Sequence, residues 1–250
     1  MNEESVINKG EELFPGEGLK EMVENGVFYG RRKTKTHPRM KPYVLTNRGG
    51  IEIINLNKTL EDLEPLLAFI REKIKNGGLM LLVGTQPAAF QGILKVAKEF
   101  NFPYVINRWI GGTLTNFKVI SKRVEYFWKL RGDLKAGVFE HYTKKEKADL
   151  ESKIQKSEDI FGGFDTLTRL PDLLLVIDSN LHATAVREAK RMKIPVVVFA
   201  NIDSDPRTLD HFIVGNNKTK RSVEWFLGKI AEAIIESKNA AGVSEGAGVK

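Results

Sequence analysis

Cysteine is absent from the chain, which excludes disulfides, thiol catalysis and zinc sites with sulfur ligands. Histidine is scarce. His37, His141, His182 and His211 lie far apart and share no ligand spacing, so each reads as a surface or structural residue and no metal is expected. No apolar run approaches the roughly 20 residues of a membrane-spanning helix, so no membrane partner is expected. The first residues, MNEESVINKGEELF, are acidic and polar, unlike a secretory signal or an Arg-rich transit peptide. The Gly-x-Gly-x-x-Gly fingerprint and the Gly-x-x-x-x-Gly-Lys phosphate loop are both missing. Those are the usual devices for dinucleotides and nucleoside triphosphates. A cytoplasmic protein without a cofactor or small-molecule substrate is the resulting expectation.

Negative charge is also missing, but only locally. The formal net charge is +7, and its distribution matters more than its size. From Gly26 to Gly50 the chain reads GVFYGRRKTKTHPRMKPYVLTNRGG, with Arg31, Arg32, Lys33, Lys35, Arg39, Lys41 and Arg48 and no acid. Seven cations without a counter-charge repel one another unless a polyanion lies nearby. The stretch is either a solvated basic loop or a contact for nucleic-acid phosphates.

Strongly apolar runs alternate with helical patterns. IEIIN (51–55), LMLLVGT (79–85), FPYVI (102–106), DLLLVIDS (172–179), IPVVVFANI (194–202) and HFIVGN (211–216) read as strands. Leu60, Leu63, Leu67, Ile70 and Ile74 fall at helical spacing, and further helices are expected through ILKVAKEF, AVREAKRM and KRSVEWFLGKIAEAIIES. Strands apolar on both faces, alternating with helices, predict a doubly wound parallel sheet, flavodoxin-like or Rossmann-like. The core is expected over 18–116 and 162–236, between a polar tail at 1–17 and a disordered tail at 237–250. One segment breaks the alternation. Residues 117–161 hold two charged helical patterns, with Thr143 and Glu146 at capping-box spacing, and predict an inserted antiparallel helical hairpin, a coiled coil.

Doubly wound sheets bind ligands where strands end and helices begin. GTQPAAF (84–90) offers Thr85 as a helix cap with Pro87 in the first turn, or as part of an anion site. Asp178, Asp203 and Asp205 form either a magnesium site or, in IDSDP, a turn with Pro206 opening the next helix. A sugar-phosphate enzyme using Thr85, Asp178 and Asp203 therefore stands as one alternative to a nucleic-acid-binding protein.

The loop INRWIGGTLTNF (106–117) carries no nucleophile or base. NRWIGGTLTNF, VFYGRRKTKTHPRMKPYV, IEIINLNKTLEDL, LLVGT, LPDLLLVIDSN, HATAVREAKRMKIPVV and NIDSDPRTLDHFIVGN resemble, in this order, the family of small-subunit ribosomal protein two, bacterial type. The resemblance covers about residues 20–236. It implies a Rossmann-like or flavodoxin-like core with a protruding coiled-coil hairpin, no catalysis and no cofactor. It also implies a structural place in the small ribosomal subunit, in contact with small-subunit rRNA and neighbouring ribosomal proteins, including ribosomal protein one. Departures are visible. Where bacterial members show His-x-Gly-His, this chain has Phe28-Tyr29-Gly30-Arg31, and Gln86 stands at a usually basic position.

Under that reading Arg31, Arg32, Lys33, Lys35, Arg39 and Lys41, then Arg108, are the expected RNA contacts, through phosphates and RNA shape. Trp109 packs beneath the loop, Gly111 and Gly112 permit a tight turn that presents backbone to RNA, and Thr115 or Asn116 caps the next helix. Tyr126, Trp128, Phe139 and Tyr142 are the expected protein contacts, unless their helical spacing only glues the two helices together. An RNA-binding adaptor acting outside the ribosome is the remaining alternative.

Overall fold

The computed structural model describes residues 19–75 and 77–246, with side chains through residue 239; the expected N-terminal tail lies outside the described residues. A short helix α1 (Lys20–Glu24) precedes strands β1 (Tyr29–Arg32), β2 (Val44–Arg48) and β3 (Ile51–Ile54). The order then runs α2 (Leu56–Lys75), β4 (Met80–Val83), α3 (Pro87–Phe100), β5 (Tyr104–Val105), α4 (Phe117–Lys135) and α5 (Lys144–Phe161). It closes with β6 (Leu173–Ile177), α6 (Ala183–Arg191), β7 (Val196–Ala200), β8 (His211–Val214) and α7 (Lys220–Gly246).

Strands β4 to β8 form one parallel sheet in the order β5-β4-β6-β7-β8. Counted along the chain this is 2-1-3-4-5, the flavodoxin-type winding. The strand period of two divides the core cleanly. Leu82, Leu175, Val197 and Phe199 join the helices α2, α3 and α7 on one face. Leu81, Val83, Leu174, Val176, Val196 and Val198 join α6, α4 and α5 on the other. With both faces covered, the inner strands have no polar side, as their sequence requires. The edge strand β5 is shorter than FPYVI led us to expect, holding only two residues in register with Leu82 and Val83.

The basic segment is not a loop. Its ends pair antiparallel with β3 in a second sheet ordered β1-β3-β2. Gly49 and Gly50 both have positive φ (58° and 80°), the two-residue hairpin turn that matches strand twist. Asn47 closes it by accepting the Gly50 N–H.

Helices α4 and α5 bury little: Ile120 and Phe127 in one, Ile154 and Phe161 in the other. They touch through the Phe127 and Phe161 rings and an Arg131–Glu158 ion pair of 3.0 Å. The Thr143–Glu146 capping box forms as expected. Helix α7 continues to Gly246, into the stretch expected as a tail, and its buried Ser237 donates to the Arg71 carbonyl.

Candidate nucleic-acid interface and its supports

The cations between β1 and β2 are carried on two 3-10 turns, Lys33–Lys35 and Pro38–Tyr43. Those turns are pinned. Thr36 donates to the Glu52 carboxylate, the His37 N–H donates to the Ile202 carbonyl at 2.8 Å, and Met40 is fully buried. On this platform the expected RNA contacts divide. Arg32, Lys33, Lys35 and Lys41 are exposed and have no ion-pair partner among the described residues. Arg31 is different: its Nε donates to Asp203 at 3.1 Å, so the cation expected to reach a phosphate is spent on an internal carboxylate. Arg39 lies 3.8 Å from Asp205, which His37 and Arg207 also approach. Arg108 is exposed and meets no acid among the described residues, which leaves it open to a phosphate.

The loop from Arg108 to Asn116 is organised around a residue that sequence reading missed. Glu188 of α6 is 8% exposed. Its Oε1 accepts the Trp109 Nε1–H at 3.1 Å and the Gly112 N–H at 2.9 Å. Its Oε2 accepts the N–H groups of Leu114 and Thr115 and the Thr115 hydroxyl, at 3.1 to 3.2 Å. Burial pushes this carboxyl's pKa up, yet the bonds from Gly112, Trp109, Leu114 and Thr115 outweigh it and hold the group below the usual carboxylate range.

Three expectations change accordingly. The loop does not present these N–H groups to RNA, because an internal anion occupies them. Neither Thr115 nor Asn116 caps α4 by its side chain, since Thr115 turns to Glu188 and Asn116 makes no side-chain cap bond. Of the two glycines, only Gly112 has a left-handed backbone (φ 91°), while a Cβ at Gly111 would meet open space. Trp109 is partly buried against the core cluster.

The parallel sheet reverses its winding between β4 and β6, where such folds bind ligands. Here the chain's own side chains bond to one another across the strand ends. Lys218 donates to both Asp178 and Gln86, and Gln86 donates to the Asn217 carbonyl at 2.6 Å. His182 is 3% exposed. Its Nδ1 donates to the Asp178 carbonyl at 2.9 Å, and its Nε2 accepts the Thr85 N–H at 3.1 Å. Burial lowers its pKa, outweighing the acceptor and charge of Asp178. Thr85 is therefore not the helix cap expected of it. Gln86 holds the N-cap position of α3, without a side-chain bond, ahead of Pro87. The aspartates weighed for magnesium face separate cations: Asp178 takes Lys218, Asp203 takes Arg31, and Asp205 takes Arg39 and Arg207. The turn reading of IDSDP is the one the geometry follows, with Asp205 accepting the Arg207 N–H and Pro206 opening a 3-10 turn.

The profile of the family described as ribosomal protein S2 matches residues 22–237. The chain belongs to that family. Small ribosomal subunit protein uS2 of Thermus thermophilus is 38% identical over 220 residues, covering 88% of this chain and 86% of the relative. The protein of the same name from Dehalococcoides mccartyi is 36% identical over 231 residues, covering 92% and 94%. The ribosomal protein S2 family is structural rather than catalytic.

Against that family, the departures at Phe28 and Arg31 acquire a physical account. Phe28 is 1% exposed, its ring tilted by 32° against that of Tyr29 with centroids 4.2 Å apart, while Arg31 binds Asp203. Phe28 thus serves the core and Arg31 an ion pair. On the paired helices, Tyr126 is 65% exposed and Tyr142 stands at the turn with Phe139, their ring centroids 5.1 Å apart. Trp128 is half-buried against the core, with the Arg131 guanidinium 5.1 Å over its ring. Its ring lies against Phe127 of the same helix, centroids 5.0 Å apart, and is only partly open to a partner. Glu188 left one trace in the sequence. In AVREAKR it falls on the stripe of Ala185 and Ala189, where an acid is out of place unless satisfied.

Proposed function

We propose that this chain is a structural constituent of the small ribosomal subunit, working in the cytoplasm and holding small-subunit rRNA and neighbouring ribosomal proteins without catalysis. Family membership supports the ribosomal role. The observation that carries the RNA contact is the pinned platform at 31–43, whose Arg32, Lys33, Lys35 and Lys41 are exposed and have no acid partner among the described residues. Fixed cations neutralise phosphates without first losing backbone freedom. Arg39 and Arg108 are further phosphate contacts in this reading, and Arg31 holds the platform's framework through Asp203.

Residues 117–161 act, in this reading, as an antiparallel helical arm set into the core of 18–116 and 162–236. Two buried residues per long helix, against seven in α2, are too few for a helix packed within a domain. Tyr126, Phe139 and Tyr142 are the arm's contacts for proteins, with ribosomal protein one among the candidate partners.

The test is sedimentation of the tagged protein from its own cells through sucrose gradients at moderate and high salt. Stoichiometric migration with small subunits, weakening as salt rises, is expected. Retention in the light fractions at both salts would overturn the proposal.

A further inference from the structure

The geometry points to Glu188 as the positioning residue of the arm: its carboxylate sets the angle at which α4 leaves the core. This rests on the arm reading above. Between Val105 and Phe117 the chain has no strand or helix, only irregular backbone at 106–110 and turns at 111–116. Its internal bonds, such as the Thr113 hydroxyl to the Ile110 carbonyl at 2.7 Å and the Asn116 N–H to the Gly112 carbonyl at 2.8 Å, shape the turns locally. Glu188 gathers Trp109, Gly112, Leu114 and Thr115 onto one point of another element.

That point is rigid. Helix α6 packs on the sheet through the buried Ala185, Val186 and Ala189, flanking Glu188 on the same side. A carboxylate offers about four lone-pair sites, and here five donors converge on them. Bonds to an ionised acceptor are roughly twice as strong as neutral ones. Helix α4 starts at Phe117, directly after Asn116 and without a side-chain cap, so its direction is inherited from this loop. The arrangement is an anion-binding nest whose occupant is built into the chain.

The absence of native cysteine makes the measurement clean. Ala136→Cys at the far end of α4 and Lys98→Cys on α3, both exposed positions, carry spin labels for pulsed dipolar distance measurement on the free full-length protein. The parent should give one narrow distance distribution. E188A should broaden it several-fold while the urea midpoint still reports a folded core. Added formate, entering the vacated nest, should narrow it again. Should E188A fail to fold, E188Q keeps the shape while its amide N–H groups face the loop donors, and the same broadening is expected. A distribution as narrow as the parent's in either folded variant overturns the proposal. So does broadening in E188A that formate leaves unchanged, because lost packing volume would then be the cause. Since the label distances are read off the ribosome, absence of the protein from small subunits would sink the ribosomal reading and leave this result standing.

Discussion

The ring of His182 donates from Nδ1 and accepts at Nε2, and an imidazolium has no lone pair with which to accept the Thr85 N–H. The charge of Asp178 favours the protonated form and that of Lys218 opposes it, but burial outweighs them. Since burial lowers the folded-state pKa, the unfolded chain takes up a proton first, near its ordinary value of about 6.5. Stability from this group is whole above that pH and is lost as pH falls toward the folded value. The urea midpoint should therefore drop between pH 7.5 and pH 5.5. H182Q should start less stable and lose that part of the pH dependence. An equal pH drop in both proteins would show that His182 is not the group responsible. What was legible at this scale was residue type, and what was not was pairing. Arg31 was visible as a cation, but its partner Asp203 lies 172 positions away. Lys218 and Gln86, which bond across the strand ends, have no spacing that marks them.

At the scale of elements, legibility followed burial. Strands β4, β6 and β7, covered on both faces, announced themselves as unbroken apolar runs. Strands β1 and β2 did not, because Arg31 and Arg32 stand side by side in one and Leu45 is exposed along with Asn47 and Arg48 in the other, so neither shows the alternation of a half-buried strand. The two long helices near the middle of the chain were readable because their sparse apolar positions recur at helical spacing. That sparseness makes them fragile in a specific way. Phe127, 2% exposed and in contact with the rings of Trp128 and Phe161, anchors the seam. F127A should cost about 3–5 kcal/mol. By hydrogen exchange the loss should be confined to residues 117–161, with protection in α2, α3 and α7 retained. Y126A, one position away and exposed, should change stability by less than about 0.5 kcal/mol. Loss of protection across α2 and α3 in F127A would contradict an arm with its own seam.

Across the whole molecule the decisive quantity is which cations are free, since the net +7 counts paired and unpaired alike. Replacing Lys33, Lys35 and Lys41 together by alanine should flatten the logarithmic salt dependence of binding to small-subunit rRNA by about three, with little change in folding stability. R31A should do the reverse. It leaves Asp203, whose Oδ1 is buried, without its counter-charge, and should lower the urea midpoint while the salt slope stays near the parent's. Equal slopes for the triple variant and the parent would remove the 33–41 platform from the RNA surface.

The bonds at Glu188 also impose an order in time. They join positions 73 to 79 residues apart, with the whole of 117–161 made in between. At about 5–20 residues per second of synthesis, Glu188 is added roughly 1–5 s after Phe161 completes the two long helices. Strand β6, which must slot beside β4, also follows 117–161 and shortly precedes Glu188. A nascent chain thus forms its helical pair first and acquires the direction of that pair last, when α6 settles on the finished sheet.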